Sequence, residues 1–246
     1  MRVDEIVVKI DIHAHVLPGV DHGAKDWDMS LKMLAKSARC GVKAVIATPH
    51  YLPWKKGVTG DVIRGLCKEA EERLQKEYGI SMSIYPGHEI YYSTETVEMI
   101  KAGKALTLAG SRYVLVEFEP EVTYMTLCRA ARELSYSRYI PIFAHIERYL
   151  CLNQVSRLEE LKSMGVFLQV NASSIQGGLF DANSRKVKKW LSEGVIDFLA
   201  SDMHDLEERP PMSNEELQWI QKKLNQQYQD ELLNGNAQKI LAERKA

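Results

Sequence analysis

The chain has 246 residues, 45% of them apolar, and a formal charge of −1 at pH 7, enough for one large core and no electrostatic case for nucleic acid or an anionic membrane. Cys40, Cys67, Cys128 and Cys151 lie far apart without a C-x-x-C pair, which argues against a disulfide framework or thiolate zinc site and suits a reducing cytoplasm. Residues 1–10 mix Arg2, Asp4, Glu5 and Lys9 into a short apolar stretch that reads as neither signal peptide nor membrane span, so a cytoplasmic chain that is not membrane-inserted is expected.

In chain order, strands are expected over residues 7–13, 42–47, 82–85, 113–118, 140–144, 166–170 and 196–200. Most are continuous apolar runs, the pattern of parallel strands buried on both faces. Cys40-Gly41-Val42, Tyr78-Gly79-Ile80, Met164-Gly165-Val166 and Glu193-Gly194-Val195 repeat one junction, a helix ended by a left-handed glycine before a strand. The intervening segments are amphipathic: Leu31, Leu34, Ala35 and Ala38 follow candidate caps Asp26 and Asp28, and Val155, Leu158, Leu161 and Met164 follow Asn153. Glu69, Glu71, Glu72, Arg73, Lys76 and Glu77 read as the solvated face of a helix. After the last strand, Ser213 to Glu216 forms a capping box ahead of Leu217, Ile220 and Leu224, so the tail is expected to dock as helices. The expected fold is α/β, a closed or nearly closed barrel of seven β/α units occupying residues 1–246 as a single domain. A doubly wound sheet would gather its site at one switch point rather than at many strand ends.

The seven histidines fall in Asp11-Ile12-His13-Ala14-His15, Asp21-His22-Gly23, Thr48-Pro49-His50, Gly87-His88-Glu89, Ala144-His145-Ile146-Glu147-Arg148 and Ser201-Asp202-Met203-His204, most of them where an apolar run ends. Taken singly, a histidine at a strand end is ordinarily a hydrogen-bonded core residue, and a lone H-x-H is a weak motif. Taken together, imidazoles and carboxylates at the same end of several strands read as a polynuclear metal site. Strand alternation puts His13 with His15, and Asp202 with His204, on common faces. It turns His88 away from Glu89, which leaves His88 structural. Asp11, sharing a face with His13 but lying deeper, is expected to orient a histidine rather than bind metal, and Glu147, Asp21 and Asp205 have similar standing.

These segments, with Val16-Leu17-Pro18-Gly19-Val20, Ile90-Tyr91-Tyr92, Val116-Glu117-Phe118, Gln169-Val170-Asn171-Ala172-Ser173 and Arg209-Pro210-Pro211, resemble the bacterial PHP-type protein-tyrosine phosphatases of capsule and exopolysaccharide operons, over Ile10 to about Pro211. The resemblance implies a distorted (β/α)7 barrel with a three-metal centre, manganese being the usual metal and iron, zinc or cobalt alternatives. It assigns one metal to His13, His15, Glu89 and Asp202, with Glu89 bridging to a second that His145 also binds, and a third to His50, His204 and His22. The Asp21-His22 pair departs from the acidic pair common in that family, a change that favours a softer ion. Arg148 and Arg209 match the arginines that clamp phosphate, a role suited to the planar guanidinium fork. The bland alternative for either is a surface ion pair of little worth.

By the same resemblance, the expected activity is hydrolysis of a phosphotyrosine monoester, with a metal-bridged hydroxide attacking phosphorus. The leaving phenolate, of parent pKa about 10, asks less of a general acid than a serine ester would. No C-x5-R sequence is expected in the chain, so a thiolate phosphatase route is not expected. Tyr91, Tyr92 and Tyr149 stand where they would line a mouth for an aromatic ester, although tyrosines at barrel rims are common without that purpose. The implied partner is the tyrosine-rich tail of a membrane-associated bacterial tyrosine kinase, with homo-oligomerisation left open. A PHP phosphoesterase on a small metabolite such as histidinol phosphate would use the same ligands, and a non-catalytic barrel would bind phosphopeptides without cleaving them.

Overall fold

The structure, a computed structural model, describes residues 9–55, 57–177 and 181–244. Among them run nine strand segments: β1 (Lys9–Ala14), β2 (Val42–Ala47), β3 (His50–Tyr51), β4 (Ser83–Pro86), β5 (Glu89–Tyr91), β6 (Tyr113–Glu117), β7 (Ile140–Phe143), β8 (Phe167–Asn171) and β9 (Phe198–Ala200). All pairings are parallel, in a sheet of order β1-β2-β4 and a second of order β3-β5-β6-β7-β8-β9. The fold is therefore α/β with parallel strands curled into a half-barrel. Residues 7 and 8 of the first expected strand lie outside the described residues.

Two expected strands each continue past a break. Pro49 offers no N–H to a ladder, so β2 stops at Ala47 and pairing resumes as β3; its neighbour breaks in step at Gly87-His88, between β4 and β5. Gly87 N–H to Ala47 O at 2.9 Å and Glu89 N–H to Pro49 O at 3.2 Å carry the ladder across. The free edges also meet. His15 N–H reaches Met203 O and Asp202 N–H reaches His13 O, both at 2.9 Å, beside a parallel bridge from Ala14 to Met203.

The helices are α1 (Trp27–Arg39), α2 (Gly60–Tyr78), α3 (Thr96–Lys101), α4 (Tyr124–Tyr136), α5 (Val155–Ser163), α6 (Ala182–Ser192), α7 (Asn214–Lys223), α8 (Gln226–Asp230) and α9 (Asn236–Ala242). Asp26 caps α1 by accepting from Met29 N–H at 2.8 Å, whereas Asp28 pairs with Lys32 one turn on. Asn153 does not cap α5: Gln154 holds that position without a side-chain bond, and the Asn153 amide turns back to Leu150 O. The capping box of Ser213 and Glu216 forms as expected, and the four junction glycines adopt φ of 67 to 85°.

Inside the curl, Ile10, Ile12, Ile46, Leu115, Ile142 and Phe198 pack with Ala237 and Ile240 of the terminal helical segment. That segment lies against the start of the sheet, next to β1 and β9, so the opposite face, at the carboxyl ends of the strands, is left for a site.

Gly23 fixes the first loop of that face. A Cβ there would sit 2.2 Å from His15 O and 2.5 Å from His15 Cβ, so Gly23→Ala is expected to cost about 1–3 kcal/mol by forcing backbone apart. A urea titration reads this as a lower midpoint; an unchanged midpoint would contradict the close approach.

Candidate metal centre

The donors stand at or just past the carboxyl ends of their strands, or, for His50 and Glu89, just past the breaks that end β2 and β4. His13 lies in β1 and His15 just past it, His50 opens β3, Glu89 opens β5, Glu117 ends β6, His145 follows β7, and Asp202 and His204 follow β9. All but His50 and Glu117 are buried. His13 Nε2 lies 3.2 Å from His15 Nε2, 3.2 Å from Glu89 Oε2 and 3.2 Å from Asp202 Oδ1; His15 Nε2 lies 3.2 and 3.4 Å from the same two oxygens. Four donors bound at about 2.1 Å to one ion in tetrahedral or octahedral array stand about 3.0–3.4 Å apart. Glu89 Oε2, Asp202 Oδ1, His50 Nε2 and His204 Nε2 are buried with no hydrogen-bond partner among the described residues, a state buried polar atoms rarely tolerate without an ordered water or an ion. The residues therefore fit divalent metal.

Glu89 faces two ways. Its Oε2 also lies 3.1 Å from His50 Nδ1, while Oε1 lies 2.7 Å from His145 Nε2. Glu117, to which sequence reasoning gave no role, reaches His50 Nδ1 at 2.8 Å and His145 Nε2 at 3.8 Å, and groups with His50 and Glu89 as a further donor set. A third set is His15, His50 and His204. His22 is exposed, its ring centroid 4.7 Å from that of His50 and 4.6 Å from that of His204.

Asp202 and His204 do not share a strand face, because β9 ends at Ala200 and Asp202 takes φ of 52°. They converge through that left-handed turn, with the His204 ring stacked 3.8 Å from His15. His145 is likewise left-handed, at φ of 33°. Non-glycine residues in this region carry strain that clusters at functional sites.

A second layer holds the rings. Asp21 Oδ2 accepts from His15 Nδ1 at 2.7 Å, leaving Nε2 as that ring's free donor. Gln169 Oε1 lies 3.2 Å from His13 Nδ1 and accepts from His145 N–H; its amide donates to Asn171 Oδ1, and the Asn171 amide donates to Asp202 Oδ2 at 2.7 Å. Gln169 and Asn171 went unassigned in the sequence, although two polar residues two apart in an apolar strand are themselves a signal. Asp11 accepts from the backbone of His13 and Ser201 and orients no ring. Glu147 accepts from Asn171 N–H and Ser174, and Asp205 from the backbone of residues 207–209, shaping the loop of Arg209. His88 is buried and accepts from Leu106 N–H at 2.8 Å, and burial pushes its pKa down to about 4.

Burial opposes charge on His15, yet Asp202, Asp21 and Glu89 outweigh it and hold its pKa well above the usual value. Burial likewise opposes the charge on Asp202 and Glu89, but neighbouring histidines, His13 foremost, hold both carboxyls well below the ordinary range. Arg148 and Arg209 each place an Nη2 on Asp202 Oδ2, at 2.9 and 2.5 Å, and remain partly exposed. Neither is a free surface charge.

Of the candidate mouth tyrosines, Tyr149 is buried with its hydroxyl donating to Ala144 O, and the Tyr92 hydroxyl donates to Glu133. Only Tyr91 lines the cavity beside the donors. Contrary to expectation, C-x5-R spacing does occur, at Cys67 with Arg73 and at Cys151 with Arg157. Cys67 and Arg73 lie in α2, where burial pushes the thiol up to about 12 and Arg73 pairs with Glu69 over Trp27; in the second pair burial raises the Cys151 thiol and Arg157 Nη1 donates to Cys151 O at 2.6 Å, so neither pair makes a reactive thiolate site.

Histidine and carboxylate donors gathered at the strand ends of a parallel α/β half-barrel define a TIM-like metalloprotein. The chain belongs to the CpsB/CapC family of capsular polysaccharide synthesis, whose model matches residues 9–242. Tyrosine-protein phosphatase CpsB of Streptococcus agalactiae is 32% identical over 238 residues, covering 94% of this chain and 98% of that protein. Tyrosine-protein phosphatase YwqE of Bacillus subtilis is 30% identical, covering 94% and 91%. A crystal structure from work on YwqE and on CpsB of Streptococcus pneumoniae, described as unique metal-dependent tyrosine phosphatases, superposes with a TM-score of 0.86 at 28% identity over 96% of this chain and 95% of that one. A phosphotriesterase from Mycobacterium tuberculosis, at 12% identity and a TM-score of 0.58 over 96% and 94%, shares the fold alone.

Metal that binds only the folded cluster stabilises it by about 2.7 kcal/mol at a hundred times its Kd. Manganese is therefore expected to raise the melting temperature of chelator-treated protein, and His13→Ala to abolish much of that rise. A melting curve indifferent to chelator and to manganese would contradict the site.

Proposed function

We propose that the chain is a metal-dependent protein-tyrosine phosphatase of the PHP type acting in capsule or exopolysaccharide regulation. The observation that carries this is the convergence of His13, His15, Glu89 and Asp202 within 4.8 Å, with Arg148 and Arg209 on the outer oxygen of Asp202. Family membership supports the same reading. The two sheets are taken as one distorted seven-stranded barrel, with β2 and β3 forming one stave, β4 and β5 another, and the contact from Ala14 to Met203 closing the ring. The domain is taken to be residues 1–246.

His13, His15, Glu89 and Asp202 would hold one ion, and Glu89 would reach a second shared with His145 and Glu117. Because Asp21 occupies His15 Nδ1, the single free nitrogen of that ring serves the first ion. His50 and His204 are then left to take a third with His22. Manganese, the metal the resemblance implies, is taken for the positions that include the carboxylates of Glu89, Asp202 and Glu117, whereas an all-imidazole third position of His22, His50 and His204 favours a softer ion. Divalent cations held there would lower the pKa of water towards about 7 and polarise phosphoryl oxygens.

The chain's own groups do the rest. Arg148 and Arg209 present guanidinium N–H groups beside the donors, where a phosphoryl group would compete with Asp202 Oδ2 for them. Asp21 and Gln169 fix the histidine rings, so the donors are set before substrate arrives. A tyrosyl leaving group, with parent pKa about 10, departs without a strong general acid, and none is assigned. The partner is proposed to be the tyrosine-rich tail of a bacterial tyrosine kinase in the cytoplasm. No described helix is long and apolar enough to cross a membrane.

Chelator is expected to abolish hydrolysis of a phosphotyrosine peptide, and manganese to restore it. Arg148→Ala and Arg209→Ala should each lower kcat/KM on the order of 10- to 100-fold, the worth of a lost charged hydrogen bond. Full turnover after complete metal removal would exclude the mechanism.

A further inference from the structure

The cavity beside the donors, of about 580 Å³, is lined by Asp21, His22, His50 and Glu117 together with Trp54 and Tyr91. Tyr91 comes two residues after Glu89 on β5 and pairs in register with Glu117 on β6, so all three project from one face of the sheet. Trp54, from the loop after β3, stands edge-on to Tyr91 with ring centroids 4.8 Å apart and planes at 79°. Trp54 is nevertheless 67% exposed. Core packing does not explain its position, since it contributes to none of the buried apolar clusters.

We infer that Trp54 and Tyr91 form an aromatic wall that receives the phenyl ring of the phosphotyrosyl side chain, so that the site selects aryl over alkyl phosphomonoesters. This rests on the phosphatase reading above. A phosphoryl group seated between the donors and the arginines leaves its ester oxygen pointing out of the cluster, and the next group along is the ring. Glu117 and His50 line the same cavity as Trp54 and Tyr91, so an aryl group leaving the cluster into that cavity meets the paired rings as one surface. Aromatic faces and edges reward a flat ring beyond simple burial, whereas the short methylene of a serine ester would leave the indole in water.

The test is calorimetric binding of two phosphonates to the manganese-loaded protein. Benzylphosphonate carries a methylene where the ester oxygen would stand and then the ring; ethylphosphonate lacks the ring. Wild-type protein is expected to bind benzylphosphonate roughly tenfold more tightly, the worth of aromatic contact. Trp54→Ala and Tyr91→Leu should each shrink that ratio to about twofold or less, and Trp54→Phe should retain most of it. Because Trp54 is largely exposed, its replacement leaves the core intact, and an unchanged melting temperature verifies this. A full ratio persisting in both variants, or no preference in the wild type, overturns the wall while leaving the phosphatase reading standing. If the variants weaken only longer phosphotyrosine peptides and not benzylphosphonate, the wall serves a flanking residue and the inference is wrong. If neither phosphonate binds the loaded wild type and phosphotyrosine is not hydrolysed, both readings fall.

Discussion

Two imidazole nitrogens facing each other at 3.2 Å, with two carboxylate oxygens at nearly the same distance from both, set the terms for the rest of this molecule. Lone pairs held so close repel unless positive charge lies between them, and the pKa directions report that demand: His15 retains a proton strongly, while Asp202 and Glu89 resist one. A divalent cation answers the same demand with more charge and with bonds to every donor. The parallel topology makes the crowding achievable, because every strand delivers its carboxyl end to one face and the terminal helices close the other.

Holding that arrangement has a visible cost. His145 and Asp202 bend into left-handed backbone without being glycine, and Gly23 must stay bare so that the first loop can lie against His15. The second layer offsets this by leaving little freedom to the rings: Asp21 grips His15, and the line from Gln169 through Asn171 to Asp202 ties β8 to the loop after β9. Asp202 is shared, with one oxygen towards the histidines and the other receiving Arg148, Arg209 and Asn171. One carboxylate thereby ties the two arginines to the histidine cluster.

The repeating units were legible in the sequence because glycine after a helix and apolar runs between glycines are local signals, and all four junctions hold. The breaks at Thr48-Pro49 and Gly87-His88 were not, since they depend on two neighbouring strands bending together. His13 with His15 followed from alternation along β1. The meeting of Asp202 with His204 was right in outcome and wrong in cause, for no periodicity signals a left-handed turn at an aspartate. Glu117, Gln169 and Asn171 were discoverable: each is a polar side chain in an otherwise apolar buried strand, and such a residue needs a partner. Tyr149 takes the ordinary role left open for it, its ring serving the core and its hydroxyl bonded to Ala144 O. The C-x5-R spacing carries no chemistry at either place: Cys67 and Arg73 lie in the regular helix α2, and at the second pair Arg157 bonds the Cys151 carbonyl while burial raises the thiol.

The most direct test of the central claim is crystallographic: anomalous scattering from crystals of the manganese-loaded protein. The account predicts a strong peak between His13, His15, Glu89 and Asp202 at about 2.0–2.3 Å from each, with further peaks beside His145 and His204. Electron density that leaves those four side chains in place with no anomalous scatterer between them would contradict it.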